Sequence, residues 1–262
     1  MDVRLPVNIA NDYLNNSQKI RIITENWVNN SIFCPNCGND LTNFENNRPV
    51  ADFYCKRCSE EYELKSKNGK LGKKIVDGAY NTMIERLNCN NNPNFFFLTY
   101  NKQTLDINDF ITVPKYFFID EIIEKRKPLS ENAKRAGWIG CNIIINNIPE
   151  FGKIFYIKNG KVQNRDRVLE NWEKTTFIKN TNNVESKGWL LDTLKCIEQI
   201  NKNEFYLEEL YSFEKKLQRK YPLNNNIQAK LRQQLQILRD KSILEFIGRG
   251  RYRLKNRGEQ NV

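Results

Sequence analysis

Two short segments on either side of a cysteine pair carry residues suited to metal-dependent hydrolysis. Asp52 lies in PVADFY (49–54), and Glu63-Leu64-Lys65 follows after ten intervening residues. Side chains alternate between the faces of a strand, so Glu63 and Lys65 would share a face, and Asp52 on a neighbouring strand would meet them. Two carboxylates hold a hard divalent cation. The lysine can orient the attacking water or stabilise negative charge on a phosphate under attack.

The surroundings of this D…ExK pattern favour a functional interpretation. In a chain in which 28% of the residues are charged, the same pattern also arises by chance on an exposed polar strand. Here Asp52 is embedded among apolar residues and Glu63 follows Tyr62, and an acid in such a run usually has a partner. The chain contains no histidine, which excludes Ser-His-Asp and Cys-His catalysis, HExxH metallopeptidases, Cys2His2 fingers and nucleases with a histidine base.

The spacing of four cysteines predicts a structural zinc site. Cys34 and Cys37, followed by Cys55 and Cys58, form the pattern CxxC-x17-CxxC, and Gly38 suits the first turn. Four thiolates leave no open position for water, so this Zn2+ would be structural rather than catalytic. Two disulfides are the alternative, but the first residues show no apolar leader for export to an oxidising compartment. The isolated cysteines are expected to be buried thiols: Cys89, Cys141 and Cys196.

The charge balance points to a polyanionic partner. The 262 residues include 42 Lys and Arg against 31 Asp and Glu, a formal net charge of +11. Residues 230–257 hold nine basic residues against two acids, a net charge of +7 in a short stretch. We therefore expect a nucleic acid as the partner, with the short C-terminal stretch binding DNA. No run approaches the roughly 18 apolar residues of a membrane span, and we expect a cytoplasmic bacterial protein that is monomeric in solution.

The apolar periodicity of the first 180 residues predicts an α/β or α+β domain. It predicts a helix over 17–30, capped by Ser17, and a second helix over 77–88. Apolar runs bounded by turn residues predict strands within 95–100, 109–118 (interrupted at Pro114), 135–150 and 152–157.

A polar segment near 180–186 predicts a boundary between domains 1–182 and 183–262. Beyond it, the pattern predicts three helices, over 188–200, 207–221 and 227–241, and then two short strands within 243–254. This order is the plan of a winged helix. A solvated basic tail is the alternative, but Ile227, Leu231, Leu235 and Leu238 on one face of the third helix favour a folded domain.

The predicted third C-terminal helix would enter the major groove by its N-terminal half. Amide side chains match the N6 and N7 edge of adenine, and the groove-facing candidates are Asn225, Asn226, Gln228 and Arg232. Phosphate contacts position a protein without specifying sequence, and the candidates for them are Lys230, Arg249, Arg251 and Arg253.

Several segments together resemble the DpnI family of methyl-directed restriction endonucleases. They are NFENNRPVADFYCKRCSEEYELKSK, SQKIRIITENWV, NNPNFFFLTY, RKPL with RAGWIGCNI, and LRQQLQILRDKSILEFIGRGRYR. The resemblance covers almost the whole chain, with both predicted domains in the same order. It implies a PD-(D/E)xK nuclease domain with a structural zinc site, followed by a C-terminal winged helix. It further implies Mg2+-dependent cleavage of both DNA strands at GATC sites that carry N6-methyladenine.

The resemblance also implies roles for individual residues. The catalytic set would be Asp52, Glu63 and Lys65, with the two carboxylates holding Mg2+ and the four cysteines holding Zn2+. The family shares the PVAD spacing in place of an adjacent Pro-Asp. Glu25 on the first helix is a candidate for assisting the metal, with a solvent-facing acid as the alternative. Trp138, after Arg135, is a candidate for touching the adenine methyl group, with a plain core position as the alternative.

Two other classes of protein fit parts of the sequence. A zinc-ribbon and winged-helix regulator without catalytic activity would explain the charge and the cysteines, but it would leave Asp52, Glu63 and Lys65 without a role. A repair or editing nuclease of the same fold would differ only in its choice of substrate, and only the resemblance argues against it.

Overall fold

The computed structural model describes residues 1–45, 51–89, 91–181 and 184–255, and their contacts form two compact units. The first unit comprises Met1–Ile148 and Gly152–Thr175, and the second comprises Pro149–Phe151 and Thr176–Val262. The boundary expected at 182/183 falls on residues outside the described ranges and stays a prediction. Within the second unit, Phe177 packs against Phe151 with ring centroids 6.2 Å apart.

The described part of the first unit contains three α-helices and ten strands. The helices are α1 (Asn16–Ser31), α2 (Tyr80–Asn88) and α3 (Arg165–Thr175). The strands are β1 (Thr42–Asn43), β2 (Phe53–Tyr54), β3 (Glu61–Asn68), β4 (Ile75–Ala79), β5 (Asn94–Tyr100), β6 (Ile107–Val113), β7 (Ile123–Lys125), β8 (Gly140–Ile143), β9 (Ile154–Lys158) and β10 (Lys161–Val162).

Seven of these strands form a mixed sheet in the order β1-β2-β3-β5-β6-β9-β10. Strands β3 and β5 are parallel, and the other neighbouring pairs are antiparallel. Strand β5 is the buried apolar run expected from the sequence, since all seven of its residues are buried. Strand β6 ends at Val113, one residue before the Pro114 interruption, because proline cannot donate a hydrogen bond to the ladder.

The smaller sheet of the first unit has the order β4-β8-β7 and corrects the expected helix over 77–88. Asp77 and Ala79 pair with Cys141 and Gly140 of β8, so α2 begins only at Tyr80. Pairing with a strand more than sixty residues away overrides the local helical pattern of this segment.

Helix α1 packs on one face of the large sheet. Trp27 meets Phe110 edge-on with ring centroids 5.3 Å apart, and its indole nitrogen donates to the Asp2 carbonyl at 2.9 Å. The cap is Asn15 rather than the expected Ser17, since the Asn15 side chain accepts hydrogen bonds from the Ser17 and Gln18 amides. The helix places Arg21 and Glu25 beside the segment that carries Asp52.

The described part of the second unit contains four helices and three strands. They are α4 (Val184–Ile200), β11 (Glu204–Tyr206), α5 (Leu207–Tyr211), α6 (Glu214–Lys220), α7 (Ile227–Asp240), β12 (Leu244–Gly248) and β13 (Arg251–Leu254). The strands form an antiparallel sheet in the order β11-β13-β12. Helices followed by a hairpin match the expected winged helix, and β11 is an additional strand.

The expected single helix over 207–221 is divided into α5 and α6. The Ser212 hydroxyl donates a hydrogen bond to the Glu209 carbonyl at 2.6 Å, and the Phe213 amide donates to the Leu210 carbonyl at 3.2 Å. The side chain thus occupies the acceptor that a continuing α-helix would use. No helix within the described ranges is long and apolar enough to cross a membrane.

Candidate active site

The two cysteine pairs form matching turns. In the first, the Cys34 amide donates to the Asn39 carbonyl, and the Gly38 amide donates back to Cys34 at 2.8 Å. In the second, the Cys55 amide donates to the Glu60 carbonyl, and the Ser59 amide donates back to the Cys55 carbonyl, also at 2.8 Å. The fifth residue of each turn has a positive φ, +77° at Gly38 and +59° at Ser59. The turns therefore present their sulfurs in equivalent ways.

The four sulfurs of these turns have the arrangement of a metal site. The Sγ atoms of Cys34, Cys37, Cys55 and Cys58 all lie within 4.8 Å of one another, and two contacts across the turns measure 3.4 Å. All seven cysteines are free, which removes the disulfide alternative. A tetrahedral zinc site separates its sulfurs by roughly 3.8 Å. Burial raises the pKa of the Cys34 thiol, and a bound cation is what would stabilise its thiolate form. The cluster can thus hold a zinc ion.

The second cysteine turn connects β2 to β3, as the sequence suggested. Phe53 and Tyr54 of β2 pair with Tyr62 and Glu61 of β3 in antiparallel register. Asp52 directly precedes β2, and its amide donates to the Tyr62 carbonyl at 2.9 Å. The metal-site turn therefore fixes the register of the two segments that carry the carboxylates.

Asp52 is held in place by the backbone of the opposite strand. Its Oδ2 accepts a hydrogen bond of 2.7 Å from the Leu64 amide, whereas its Oδ1 lies 3.9 Å from a guanidinium nitrogen of Arg21. Pro49 and Val50 of the same motif lie outside the described residues. With one carboxylate oxygen anchored, the other remains available to a cation.

Glu63 and Lys65 lie on the same side of β3, as the two-residue period predicts. The Lys65 ammonium is 2.6 Å from Oε1 of Glu63. Oε2 of Glu63 is buried and has no hydrogen-bond partner among the described residues, although Arg86 comes within 3.7 Å. Burial raises the pKa of Glu63, against the attraction of Lys65. An unsatisfied buried carboxylate oxygen is what a divalent cation would require at this position.

Asp52, Glu63 and Lys65 line one open cavity of about 500 Å³ together with the first half of α1. Glu25 of α1 also lines it and accepts a hydrogen bond of 2.5 Å from Arg21. Burial raises the pKa of Glu25, and the bond from Arg21 opposes that shift. Glu25 is thus a half-buried acid at the cavity, as its candidate role requires, rather than a fully solvated one.

Trp138 lies at the end of the small sheet, in a loop whose base is closed by hydrogen bonds. The Leu129 amide donates to the Trp138 carbonyl at 2.9 Å, and the Gly137 amide donates to Leu129 at 3.1 Å. The indole ring covers Gly140, where an added Cβ would come within 2.8 Å of ring carbons. Trp138 is half-buried and Arg135 is exposed, so the indole is not a plain core residue.

Helix α7 divides into a buried and an exposed face. The four apolar residues expected to share a face are all buried, namely Ile227, Leu231, Leu235 and Leu238. Asn225 and Asn226 before the helix are exposed, as are Arg232, Gln233 and Gln236. Gln228 instead is half-buried and donates to a Glu214 carboxylate oxygen at 2.8 Å, and Arg232 donates to the Tyr211 hydroxyl at 2.7 Å.

The hairpin of the second unit carries fewer free cations than the sequence suggested. Arg251 and Arg253 both pair with Glu204 of β11, at 2.6 and 2.7 Å, and Arg253 also lies 3.1 Å from Glu245. Arg249 at the tip of the hairpin is exposed. Because these acids partly neutralise Arg251 and Arg253, Arg249 is the strongest phosphate-binding candidate of the three arginines.

Both units match families of known proteins. Residues 1–181 match the Dam-replacing family, DpnI, and residues 185–254 match the Dam-replacing HTH domain, DpnI_C. The chain belongs to the DpnI family. Membership makes this protein a nuclease acting on DNA, with a second domain of the helix-turn-helix class. The resemblance found in the sequence is thereby confirmed, as is the mixed α/β architecture.

Asp77 and Arg86 lie beside the candidate catalytic residues and were not predicted from the sequence. Asp77 contacts the Lys65 ammonium, and Arg86 lies 3.7 Å from Glu63. Both fall in the segment expected to be helical from residue 77, which hid the strand position of Asp77. The residue types Ile75-Val76-Asp77 do not alternate between apolar and polar, and only the folded strand shows their alternating burial. Cys89 was also misplaced, since it is exposed rather than buried.

Proposed function

We propose that this protein is a methyl-directed restriction endonuclease, which cuts both strands of DNA at GATC sites carrying N6-methyladenine and requires Mg2+. The observation that carries the proposal is the meeting of Asp52, Glu63 and Lys65 in one cavity of a chain whose two units match the DpnI family. A regulator without catalytic activity would leave Asp52, Glu63 and Lys65 without a role.

Each residue of the cavity has a distinct part in the proposed hydrolysis. Asp52 and Glu63 would hold Mg2+, which when bound lowers the pKa of water and neutralises phosphate charge. Although burial opposes the charge on Lys65, attraction to Glu63 and Asp77 raises its pKa above the ordinary value. Lys65 is therefore protonated at neutral pH. We propose that it stabilises the negative charge of the pentavalent phosphate rather than accepting a proton from water.

The second unit and the Trp138 loop are proposed to supply recognition. The exposed amides on and before α7 match the adenine edge in the major groove, and Arg249 suits a phosphate. The half-buried ring of Trp138 offers an apolar surface for a methyl group. Cys34, Cys37, Cys55 and Cys58 would hold a structural Zn2+, because no ligand position is left for water. A monomeric state and a cytoplasmic location stay predictions.

The test is digestion of fully methylated, hemimethylated and unmethylated GATC duplexes side by side, with Mg2+ and with a chelator. We expect double-strand cuts in the fully methylated duplex with Mg2+ and none in the unmethylated one. Equal cutting of all three duplexes would indicate a nuclease of the same fold with another specificity. A mobility shift without cutting would indicate a regulator.

A further inference from the structure

A carboxylate outside the D…ExK pattern contacts the candidate catalytic lysine from a different sheet. Asp77 Oδ1 on β4 makes an ion pair with Nζ of Lys65, which also lies 2.6 Å from Oε1 of Glu63. The ammonium is thus held between two carboxylates that belong to separate sheets. Nothing in the D…ExK pattern includes Asp77.

The burial of Asp77 distinguishes it from the two carboxylates that would hold a cation. Its side chain is only 4% exposed, compared with 16% for Glu63 and 24% for Asp52. Asp77 does not line the open cavity that Asp52, Glu63 and Lys65 share. It lies on the protein side of Lys65, which suits a group that acts on the lysine rather than on DNA or metal.

The position of Asp77 is set by its strand. Asp77 pairs with Cys141 of β8, and the next register pair of β4 with β8 joins Ala79 to Gly140. A carboxylate on paired backbone has little freedom to follow a moving lysine, so it defines where the ammonium lies. Glu63 is the less constant partner, because a cation bound at its Oε2 would repel the ammonium that lies at its Oε1.

We propose that Asp77 is a positioning residue, which holds the Lys65 ammonium at a fixed point in the wall of the cavity while Glu63 is engaged by the metal. The inference rests on the proposed function, since it assigns Lys65 the stabilisation of phosphate charge. Without Asp77, a buried ammonium would lose its remaining counter-charge, and burial of an unpaired charge is costly. The ammonium would then leave its fixed position in the cavity wall and move towards solvent.

The variant that tests the inference is Asp77→Asn in the full chain, because it keeps the shape of the side chain and removes its charge. We expect the single-turnover cleavage rate of methylated DNA to fall roughly 10- to 100-fold, as for other outer-shell partners of catalytic groups. DNA affinity should stay at the wild-type value, and Asp77→Glu should recover part of the rate. Crystal structures should show Lys65 Nζ displaced in Asp77→Asn and not in the wild type.

Asp109→Asn is the matched control. Asp109 lies on β6, accepts a hydrogen bond of 2.9 Å from the Asn159 amide and does not line the cavity. This variant should lower the melting temperature without lowering the cleavage rate.

Three outcomes would overturn the assignment: an unchanged rate in Asp77→Asn, an equal loss of rate in Asp109→Asn, or an unmoved Lys65 in the variant crystal. If the wild-type protein does not cut methylated DNA, the proposed function fails. The position of Lys65 in the two crystals then still decides the role of Asp77.

Discussion

The Tyr62 hydroxyl lies 3.2 Å from the sulfur of Cys34 and links the cysteine cluster to the strand of the candidate active site. Tyr62 is fully buried, and its ring stacks on Phe96 at 4.6 Å. The next residue along the strand is Glu63. With a metal-bound thiolate as acceptor, the hydroxyl would donate, as outer-shell groups of metal sites commonly do. The same residue thus serves the metal site and the sheet that positions the carboxylates.

Tyr62→Phe should therefore weaken zinc binding roughly 10- to 100-fold, because it removes a hydrogen bond to a ligand sulfur. The measurement is competition for zinc with a chromogenic chelator. Tyr156→Phe is the matched control, since its buried hydroxyl donates to the Phe33 carbonyl at 2.7 Å rather than to a ligand. Equal zinc affinities in the two variants would show that Tyr62 supports only the packing of the core.

Loss of a cysteine ligand should unfold the first unit. A structural zinc site couples metal binding to folding, so Cys55→Ser or prolonged chelation should abolish the cooperative melting transition of this unit. Cys89→Ser is the control, because Cys89 is exposed and lies outside the cluster. Metal analysis that finds no zinc in folded, active protein would disprove the structural role.

Asp52→Ala and Lys65→Ala should abolish DNA cleavage and leave DNA binding intact. Both side chains are assigned to the metal and phosphate step, which binding does not require. Cleavage assays and mobility shifts on the same methylated duplex separate the two properties. Lys161→Ala, which removes an exposed charge on β10, should keep wild-type cleavage. A wild-type rate in either active-site variant would mean that the assignment is wrong.

Discrimination between bases should depend on Gln233 and Gln236 more than on Gln228. The first two are exposed on α7, whereas Gln228 is engaged by Glu214 at 2.8 Å. Replacing an exposed reader by alanine should cost about 1–3 kcal/mol of preference for adenine over another base at the position it reads. Binding titrations with a methylated GATC duplex and with the same duplex carrying one substituted base pair measure this difference. A loss of preference confined to Gln228→Ala would restore the assignment made from the sequence.

Glu204 should make the second unit sensitive to acid. Hydrogen bonds from Arg253 and Arg251 lower the pKa of Glu204. A carboxyl group whose pKa is lowered by folding stabilises the protein at pH values above its unfolded pKa of about 4.3. This stabilisation is lost as the pH falls through the pKa of the folded state. Glu204→Gln should lower the melting temperature of this unit at neutral pH, and the difference from wild type should vanish in acid. Because the Glu204 side chain remains 31% exposed to solvent, high salt should also reduce the difference. If the difference in melting temperature persists in acid, the ionisation of Glu204 is not its cause.

Features governed by short-range geometry were determined by the sequence alone. The spacing of Cys34, Cys37, Cys55 and Cys58 specified two equivalent turns, because a CxxC turn needs only neighbouring residues. The two-residue period placed Glu63 and Lys65 on one side of β3, and the 3.6-residue period selected the buried face of α7. These periods are properties of the backbone, so they survive in any tertiary context that forms the element.

Only the tertiary structure decided which distant groups meet. Asp77 reaches Lys65 because its segment pairs with β8, and this pairing also moved the start of α2 to Tyr80. Arg251 is neutralised by Glu204, which lies 47 positions earlier in the chain. No local pattern encodes such pairs, since they depend on strand order and on the burial of each charge. A charge that the fold buries in turn requires a counter-charge beside it.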